Sequence, residues 1–308
     1  MLRYAIRRVL LIIPTLLVVI FIIFAILNIT PGDPGRIILG NDASQEAVDD
    51  LNHQLGADRP MLERFVKYLW GVVRFDFGNS YRSHRPVYDD ILGKFPVTLR
   101  LAIFAVLVSA VIGIPLGVIS AVRQYSVLDY TLTVTALLLA SMPGFFLALL
   151  LILLFSLLLG ILPSSGVGTP AHYILPVITS ALPAAAYLAR MTRTSMLETM
   201  RQDYIRTARA KGANRNRVIT RHALKPALMP VVTTLGMSFA SLLGGAVVTE
   251  VVFGLPGVGN VILTAVQMKD APVILAAGIL LAVIYKLIML FVDIIQAVID
   301  PRLKAQIK

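Results

Sequence analysis

Six apolar runs, each close to the length of a transmembrane helix, constrain this chain more than any other feature of its sequence. A bilayer core needs about 20 consecutive apolar residues per helix. The runs cover residues 9–29, 101–122, 131–159, 173–189, 227–252 and 271–292. Hydrophobic residues make up 57% of the chain and charged residues only 15%, whereas about a quarter of a soluble domain is charged. The sequence therefore predicts an all-α membrane protein with six transmembrane helices.

Three of these runs need comment. Residues 131–159 would form a helix of roughly 43 Å, so we expect it to tilt or to kink at the Ser-Met-Pro-Gly of residues 141–144. The fourth run is short, and we expect Pro176 and Pro183 to break it. The first run is longer than the apolar part of a signal peptide, about 7–15 residues, and no small-residue cleavage site follows it, so we predict an uncleaved span.

The distribution of positive charge predicts the orientation. Ten of the 28 Lys and Arg residues lie within residues 190–225. An even number of spans places both termini on the same side as that segment, and the positive-inside rule makes this side the cytoplasm. We therefore predict a multi-pass protein of a bacterial or archaeal plasma membrane with both termini cytoplasmic. The net charge of +11 then follows from topology and requires no nucleic-acid partner.

The predicted organisation has three parts. Residues 1–29 form the cytoplasmic N-terminus and the first span, and residues 30–96 form a small helical extracytoplasmic segment. Residues 97–308 form the core membrane domain with the other five spans, interrupted by a cytoplasmic loop at residues 190–225.

The segment 30–96 carries helix punctuation. Ser44 is a good N-cap, Gly56 a good helix stop, and a second helix is expected to begin near Pro60. Trp70 suits a membrane interface. We favour a small helical cap on the outer membrane surface over a self-sufficient binding domain, because few large apolar side chains are available for a core.

The loop 190–225 is the most informative segment. Its ten basic residues face only Glu198 and Asp203, so it is too polar to span. We expect two short helices, the first ending at Gly212. One interpretation is a solvated basic loop that fixes topology or touches anionic lipid. The small residues Thr207, Ala208 and Ala210 favour another, because they permit close backbone approach to a second protein.

At these residues the chain resembles a known family. Residues 204–212 read Tyr-Ile-Arg-Thr-Ala-Arg-Ala-Lys-Gly, which is similar to the cytoplasmic loop of binding-protein-dependent ABC importer permeases of the dipeptide/oligopeptide branch. Relative to the general family pattern, Arg206 replaces an acid, Thr207 an alanine and His222 an isoleucine, and Pro226 falls one place late. These departures are typical of that branch.

The resemblance covers nearly the whole chain. Further strings occur in the family's order on the six-span frame. They are Ile-Pro-Thr at 13–15, Pro-Gly-Asp-Pro at 31–34, Phe-Asp-Phe-Gly at 75–78, Arg-Met-Thr-Arg at 190–193, Phe-Gly-Leu-Pro-Gly at 253–257 and Asp-Pro-Arg at 300–302.

The resemblance implies the membrane half of an ATP-driven importer. Its partners are a second homologous permease subunit in a heterodimer, two cytoplasmic ATPase subunits, an extracytoplasmic peptide-binding protein and the lipid bilayer. The cargo is a dipeptide or oligopeptide, with a nickel chelate or glutathione as the alternative. The implied ATPase-coupling residues are Tyr204, Ile205, Arg206, Thr207, Ala208, Arg209, Ala210, Lys211, Gly212 and Ala213.

Catalytic and cofactor motifs are absent from the sequence. The sole Gly-Lys pair, Gly93-Lys94, is followed by Phe95, so the phosphate-binding Gly-Lys-Ser/Thr loop is missing. The four histidines stand far apart and cysteine is absent. We predict no catalytic residue, no metal site and no cofactor in this chain, with ATP and Mg²⁺ bound by partner subunits. A stand-alone secondary transporter is expected to have acidic residues near mid-membrane or an internal repeat. An intramembrane enzyme is expected to have a set of catalytic residues. The sequence shows none of these features, so both alternative functions are disfavoured.

Small and charged residues inside the runs are the remaining candidates. Glycines permit two helices to approach closely. Such a contact could let the helices slide past each other in a transport pathway, although a fixed helix–helix contact is the simpler interpretation. Lys286 is a charged residue inside the sixth run. It either serves transport, pairs with Asp293, or extends its ammonium group to the membrane surface. The helix-packing or pathway candidates are Gly113, Gly117, Ser241, Gly244 and Gly245.

Overall fold

The computed structural model describes the backbone of residues 2–29, 33–40 and 42–299. These residues are mainly helical, and no β-strand occurs among them, so the all-α prediction is confirmed. The α-helices of this part of the chain are α1 Leu2–Ile29, α2 Pro34–Leu39, α3 Gln45–Leu55, α4 Met61–Val73, α5 Val87–Leu92, α6 Phe95–Val122, α7 Val127–Ser141, α8 Gly144–Leu151, α9 Ile174–Met200, α10 Asp203–Ala210, α11 Arg215–Arg217, α12 Leu224–Gly245, α13 Val247–Val252, α14 Val258–Gln267 and α15 Ala271–Ile299. Two π-helices, Ile152–Leu158 and Val218–Ala223, and one 3₁₀-helix, Pro170–Tyr173, complete them.

Long apolar helices account for five of the six predicted spans. The described residues contain five helical stretches long and apolar enough to cross a membrane, and one bent pair that makes six if it counts as one span. The exact number of six therefore stays a prediction. The five stretches are Leu11–Ile29, Val87–Val122, Pro170–Met200, Arg215–Gly244 and Ala271–Gln296.

The third apolar run is a corner and not a kinked rod. Helices α7 and α8 meet at 104°, at the residues where the sequence predicts a kink. The cause is Pro143, which disfavours helical backbone in the residue before it. Met142 is accordingly extended, with φ −73° and ψ 128°. The π-helix that follows α8 is not foreseen from the sequence.

The fourth run is unbroken and longer than predicted. Helix α9 continues from Ile174 to Met200, past the predicted end at residue 189. Pro176 lies in its first turn, where no intrahelical hydrogen bond is lost, and Pro183 is accommodated. The added turns are stable because one face of them is buried. The buried positions of these turns are Thr192, Ser195, Met196 and Thr199.

The fifth run also begins earlier than predicted. Helical backbone is continuous from Arg215 through the π-helix into α12, so residues 215–225 belong to the long helix and not to a loop. The segment between the two long helices is therefore only residues 201–214, and α10 occupies most of it.

The segment between the first two runs contains the two helices that the sequence predicts. Ser44 caps α3 by accepting a hydrogen bond from the backbone N–H of Ala47 at 3.3 Å, and Gly56 ends it in the left-handed conformation, φ 72°. Helix α4 follows Pro60. The short helices α2 and α5 were not predicted, because six residues give too few turns for a periodic pattern.

The chain divides into two compact units. One holds residues 2–5, residues 99–255 and the described residues from 285 onward, and its buried cluster includes Met196, Ile205 and Val218. The other holds residues 6–98 and 256–284, and its buried cluster is Val87, Ile91, Val258, Ala265, Val273, Ala276 and Ala277.

Candidate functional site

Helix α10 is a short helix with a well-defined stop. The Gly212 N–H donates to the Arg209 carbonyl at 2.9 Å, and the Ala213 N–H donates to the Ala208 carbonyl at 3.2 Å. This pair of bonds is a Schellman motif, which requires a left-handed residue after the helix. Gly212 supplies it with φ 79°. The predicted role of Gly212 as helix stop is confirmed.

One side chain anchors α10 to the rest of its unit. Ile205 is fully buried, at 0% exposure. It belongs to an apolar cluster whose other members come from the ends of three long helices. They are Ala121 of α6, Met196 of α9, and Val218, Ala223 and Ala227 of the helix that follows α10. A displacement of α10 therefore acts on three helices at once.

The opposite face of α10 is free of contacts that would bury it. Arg206, Thr207 and Ala210 are exposed, whereas Ala208 and Ala213 are half-buried on the anchored side. The small residues thus divide into two groups. Thr207 and Ala210 form a low exposed surface, whereas Ala213 packs against the buried cluster that contains Ile205.

The surroundings of α10 are strongly basic. Asp203 lies 3.8 Å from Arg206, but both side chains are highly exposed and such a pair contributes little. The exposed cations of residues 201–217 are Arg201, Arg206, Arg209, Lys211, Arg215 and Arg217. The surface around the exposed face of α10 is therefore positive.

A buried ion pair holds the helix that leads into α10. The Arg193 guanidinium donates to both oxygens of Asp129, Nε to Oδ1 at 2.7 Å and Nη2 to Oδ2 at 2.8 Å. Asp129 is only 2% exposed, and it also accepts from the Ser120 hydroxyl and from the Tyr125 N–H at 3.0 Å. The pair connects α9 to the α6–α7 corner.

The sequence did not single out this pair. Asp129 and Arg193 stand 64 residues apart, and Arg193 looks like one more cation of a basic loop. The available signal was a lone acid at the start of an apolar run, which needs a partner if it is buried.

Two further hydrogen bonds attach the ends of the α10 segment. The Ser195 hydroxyl donates to the Ala227 carbonyl at 2.8 Å, which joins α9 to α12. The Arg215 guanidinium donates to the Val122 carbonyl at 3.2 Å, which joins the helix after α10 to the end of α6. Together with Ile205, these contacts attach the α10 segment to α6, α9 and α12, while one face of α10 stays exposed.

Comparison with known families identifies the chain. The family model described as "Binding-protein-dependent transport system inner membrane component" matches residues 113–305. A second model, described as "Binding-prot-dependent transport system membrane comp, N-term", matches residues 1–102. The chain belongs to this permease family. It is a multi-pass membrane protein and the permease subunit of an ABC importer, as the resemblance in its sequence indicated.

Two curated relatives match the permease over its whole length. The glutathione transport system permease protein GsiC of Escherichia coli (strain K12) is 41% identical over 307 residues, 99% of both chains. The dipeptide transport system permease protein DppB of Alkalihalophilus pseudofirmus is 39% identical over 332 residues, 99% of this chain and 100% of the relative.

A solved structure shares the fold. The permease matches a chain of the inward-facing MetNI methionine ABC transporter with a TM-score of 0.58 and 22% identity, covering 68% of this chain and 95% of that chain. At this identity the likeness establishes the architecture of the fold only.

Two of the permease's candidate glycines lie in a tight helix contact. A Cβ added to Gly113 would lie 2.6 Å from the Ala185 carbonyl oxygen, and one added to Gly117 would lie 2.5 Å from the Ala189 oxygen and 2.6 Å from Thr192 Cβ. The close approach expected of this Gly-x-x-x-Gly pair is thus present, between α6 and α9. A part in the transport pathway stays a prediction.

The second group of candidate small residues lies elsewhere on its helix. Ser241 and Gly244 are exposed, and Gly245 is the last residue of α12. Gly236 of α12 makes a close helix contact, because an added Cβ would collide with the Val292 side chain of α15. The spacing Gly236-x-x-x-Ala240 is itself a small-x-x-x-small pattern, which is the signal that could have marked this contact in the sequence.

The two charge candidates lie on α15. Lys286 and Asp293 are both half-buried. Their roles in transport, and a pairing between them, stay predictions.

Proposed function

We propose that this permease imports dipeptides or oligopeptides across a bacterial or archaeal plasma membrane, with both of its termini in the cytoplasm. The proposal rests on the two curated relatives, one named for glutathione and one for dipeptides, each matched over 99% of the chain. Glutathione is itself a small peptide, so both names point to the same class of cargo.

The permease is proposed to work in a larger assembly. A second, homologous permease subunit completes the translocation pathway as a heterodimer. An extracytoplasmic peptide-binding protein delivers the cargo, and two cytoplasmic ATPase subunits bind ATP and Mg²⁺ and hydrolyse the nucleotide. The chain itself is then neither an enzyme nor a cofactor-binding protein. The absence of a phosphate-binding loop from the sequence supports this division of labour.

The contact with the ATPases is proposed to be residues 204–213. The observation that carries it is the mounting of α10, which buries Ile205 completely while it leaves Arg206, Thr207 and Ala210 exposed. A two-state motion needs a rigid contact at one end and packed helices at the other. The exposed face supplies the contact, and the Ile205 cluster joins it to the ends of α6, α9 and α12.

The test separates docking from folding. Ala210→Arg places a long cation on the exposed face of α10 without touching the buried cluster. We expect normal membrane insertion and thermal stability, but a large loss of peptide uptake per ATP hydrolysed in proteoliposomes that contain the complete importer. Gln54→Arg, which adds the same charge at an exposed position of α3, is the matched control and is expected to transport normally. Normal uptake by Ala210→Arg would remove α10 from the coupling contact.

The choice of cargo needs its own measurement. Uptake of a labelled dipeptide by the complete importer should be reduced by unlabelled dipeptides and oligopeptides. If the importer takes up labelled glutathione or a labelled nickel chelate and does not take up the dipeptide, the alternative cargo is correct. Uptake by the purified chain alone, driven by an ion gradient, would instead indicate a secondary transporter.

A further inference from the structure

Helix α4 packs against α1 by one face only. The Phe65 ring centre lies 5.2 Å from that of Phe21 and 5.4 Å from that of Phe24. The Tyr68 ring lies 6.0 Å from Phe24. These contacts join the middle of α4 to the body of α1 and not to its end.

A second apolar face of α4 is exposed. Its residues recur at helical spacing along one side. They are Leu62 at 72% exposure, Val66 at 60%, Trp70 at 60% and Val73 at 72%. We call these four residues the α4 stripe. Four large apolar side chains in a row are unusual on a surface that faces water.

The polar residues of α4 occupy a separate sector. By the 3.6-residue repeat, Glu63, Arg74 and Lys67 lie roughly 65°, 85° and 105° round the helix from the centre of the α4 stripe, all on one flank of it. Arg64 lies on the far side, where its guanidinium donates to the Asn28 side-chain oxygen at 2.7 Å. The Arg74 guanidinium lies 4.6 Å from the centre of the Trp70 ring, at the border between the two sectors. An apolar arc flanked by a charged sector, with Trp and Arg at the border, fits a helix that lies in a membrane interface.

The contacts with α1 place α4 at membrane depth. Phe21 and Phe24 precede the end of α1 at Ile29 by roughly 12 Å and 7 Å at the helical rise of 1.5 Å per residue. The apolar part of α1 matches the bilayer core of about 30 Å. The partners of Phe65 and Tyr68 are therefore inside the apolar part of the span.

The α4 stripe continues a surface that already faces lipid. Beside the contacts with α4, the outer half of α1 leaves Phe21 at 43%, Ile22 at 50% and Ile26 at 58% exposure. A span with so little of its surface buried within the chain meets the acyl chains of the bilayer, and the α4 stripe extends that surface sideways.

We propose that α4 is an interfacial membrane helix, with Leu62, Val66, Trp70 and Val73 immersed in the acyl chains of the extracytoplasmic leaflet. Lys67 and Arg74 extend towards the headgroups. The segment between the first two spans is then partly embedded, and not solely a cap above the membrane. This proposal does not depend on the cargo or on the coupling contact.

The test compares neighbouring positions on α4. The chain has no cysteine, so Val66→Cys and Lys67→Cys each carry a single spin label in the assembled importer, whose partner subunits are made cysteine-free. We expect the label at 66 to be accessible to dissolved oxygen and protected from a water-soluble nickel chelate. The label at 67, one residue further round the helix, is expected to show the reverse preference.

The sole tryptophan provides a readout without mutation. Trp70 is the only Trp of the chain, so its emission from the purified chain in nanodiscs reports on the α4 stripe alone. We expect blue-shifted emission that brominated phospholipids quench strongly and aqueous iodide quenches weakly. The variant with Trp70→Phe and Tyr204→Trp moves the probe to the exposed surface of α10 and should show the opposite pattern.

Two results would overturn the proposal. If the label at 66 is accessible to the nickel chelate, or iodide quenches Trp70, the stripe faces water. If the label at 66 is protected from both reagents in the assembled importer, a protein surface covers the stripe instead of lipid.

Discussion

Arg193 and Asp129 form a bidentate ion pair, with N–O distances of 2.7 Å and 2.8 Å, where α9 passes the corner between α6 and α7. The carboxylate has 3% side-chain exposure and the guanidinium 26%. Because α9 leads directly into α10, this pair ties the proposed coupling helix to a second pair of helices. The ion pair therefore connects α9, at the end that precedes α10, to the α6–α7 corner.

Replacing Asp129 by Asn should weaken both stability and coupling. Loss of one partner from a fully buried pair costs about 3–5 kcal/mol, and we expect about 2 kcal/mol here because Arg193 is partly solvated. Thermal unfolding in detergent measures the first effect, and peptide uptake per ATP hydrolysed measures the second. The exchanged pair Asp129→Arg with Arg193→Asp should recover part of both. A melting temperature equal to that of the wild type would show that the pair is dispensable.

Gly117 should tolerate no side chain. Gly117→Ala puts a Cβ 2.5 Å from the Ala189 carbonyl oxygen, so α6 and α9 must separate, at a cost of about 1–3 kcal/mol for overpacking. The measurement is thermal unfolding of the purified permease. Gly144→Ala is the matched control, because a Cβ at that position meets nothing within 4 Å. Equal melting temperatures for the two variants would contradict the tight α6–α9 contact.

The sequence predicts helix caps and helix stops, but it does not predict contacts between residues that are far apart in the chain. Ser44 and Gly212 could be assigned as cap and stop because their roles depend on the residues next to them. The partner of Arg193 could not be assigned, because a basic residue in a basic segment gives no sign that it is buried against an acid far away in the chain.

The ends of the long helices illustrate the same limit. Residues 190–200 were predicted as loop because they are polar, yet they continue α9. Their stability comes from the burial of Met196, from the hydrogen bond of the Ser195 hydroxyl to the Ala227 carbonyl and from the ion pair of Arg193 with Asp129. The hydrophobic pattern of the sequence predicts which part of a helix can lie in lipid, but it does not predict the residue at which the helix ends.

Ile205→Ala should loosen the coupling helix without altering its exposed surface. Truncation of a fully buried Ile costs about 2–5 kcal/mol, and this cost falls on the attachment of α10 to the ends of three helices. We expect faster amide hydrogen exchange across residues 203–213 and reduced uptake per ATP hydrolysed. Arg206→Ala, which removes an exposed side chain of the same helix, should leave exchange unchanged. Unchanged exchange in Ile205→Ala would show that the cluster does not hold α10.

A buried hydroxyl fixes the turn that precedes α5. The Ser80 hydroxyl donates to Asp270 at 2.6 Å and accepts from the backbone N–H groups of Arg82 and Ser83 at 3.2 Å and 3.0 Å. Ser80 and Asp270 are each 4% exposed. Removing the hydroxyl therefore leaves an oxygen of the buried Asp270 carboxylate short of a partner, and the N–H groups of the exposed residues Arg82 and Ser83 lose their acceptor.

Ser80→Ala should destabilise the unit that contains residues 6–98 and 256–284. Unsatisfied buried groups cost about 1–3 kcal/mol, and we expect a lower melting temperature together with faster proteolysis within residues 78–86. Ser83→Ala is the matched control, because the Ser83 hydroxyl is exposed and donates to Asp90 at 2.8 Å at the surface. It removes the same atom from the same turn, but water can replace the lost bond. If both variants have the same melting temperature, solvent reaches Ser80 and the buried bond to Asp270 does not stabilise the turn.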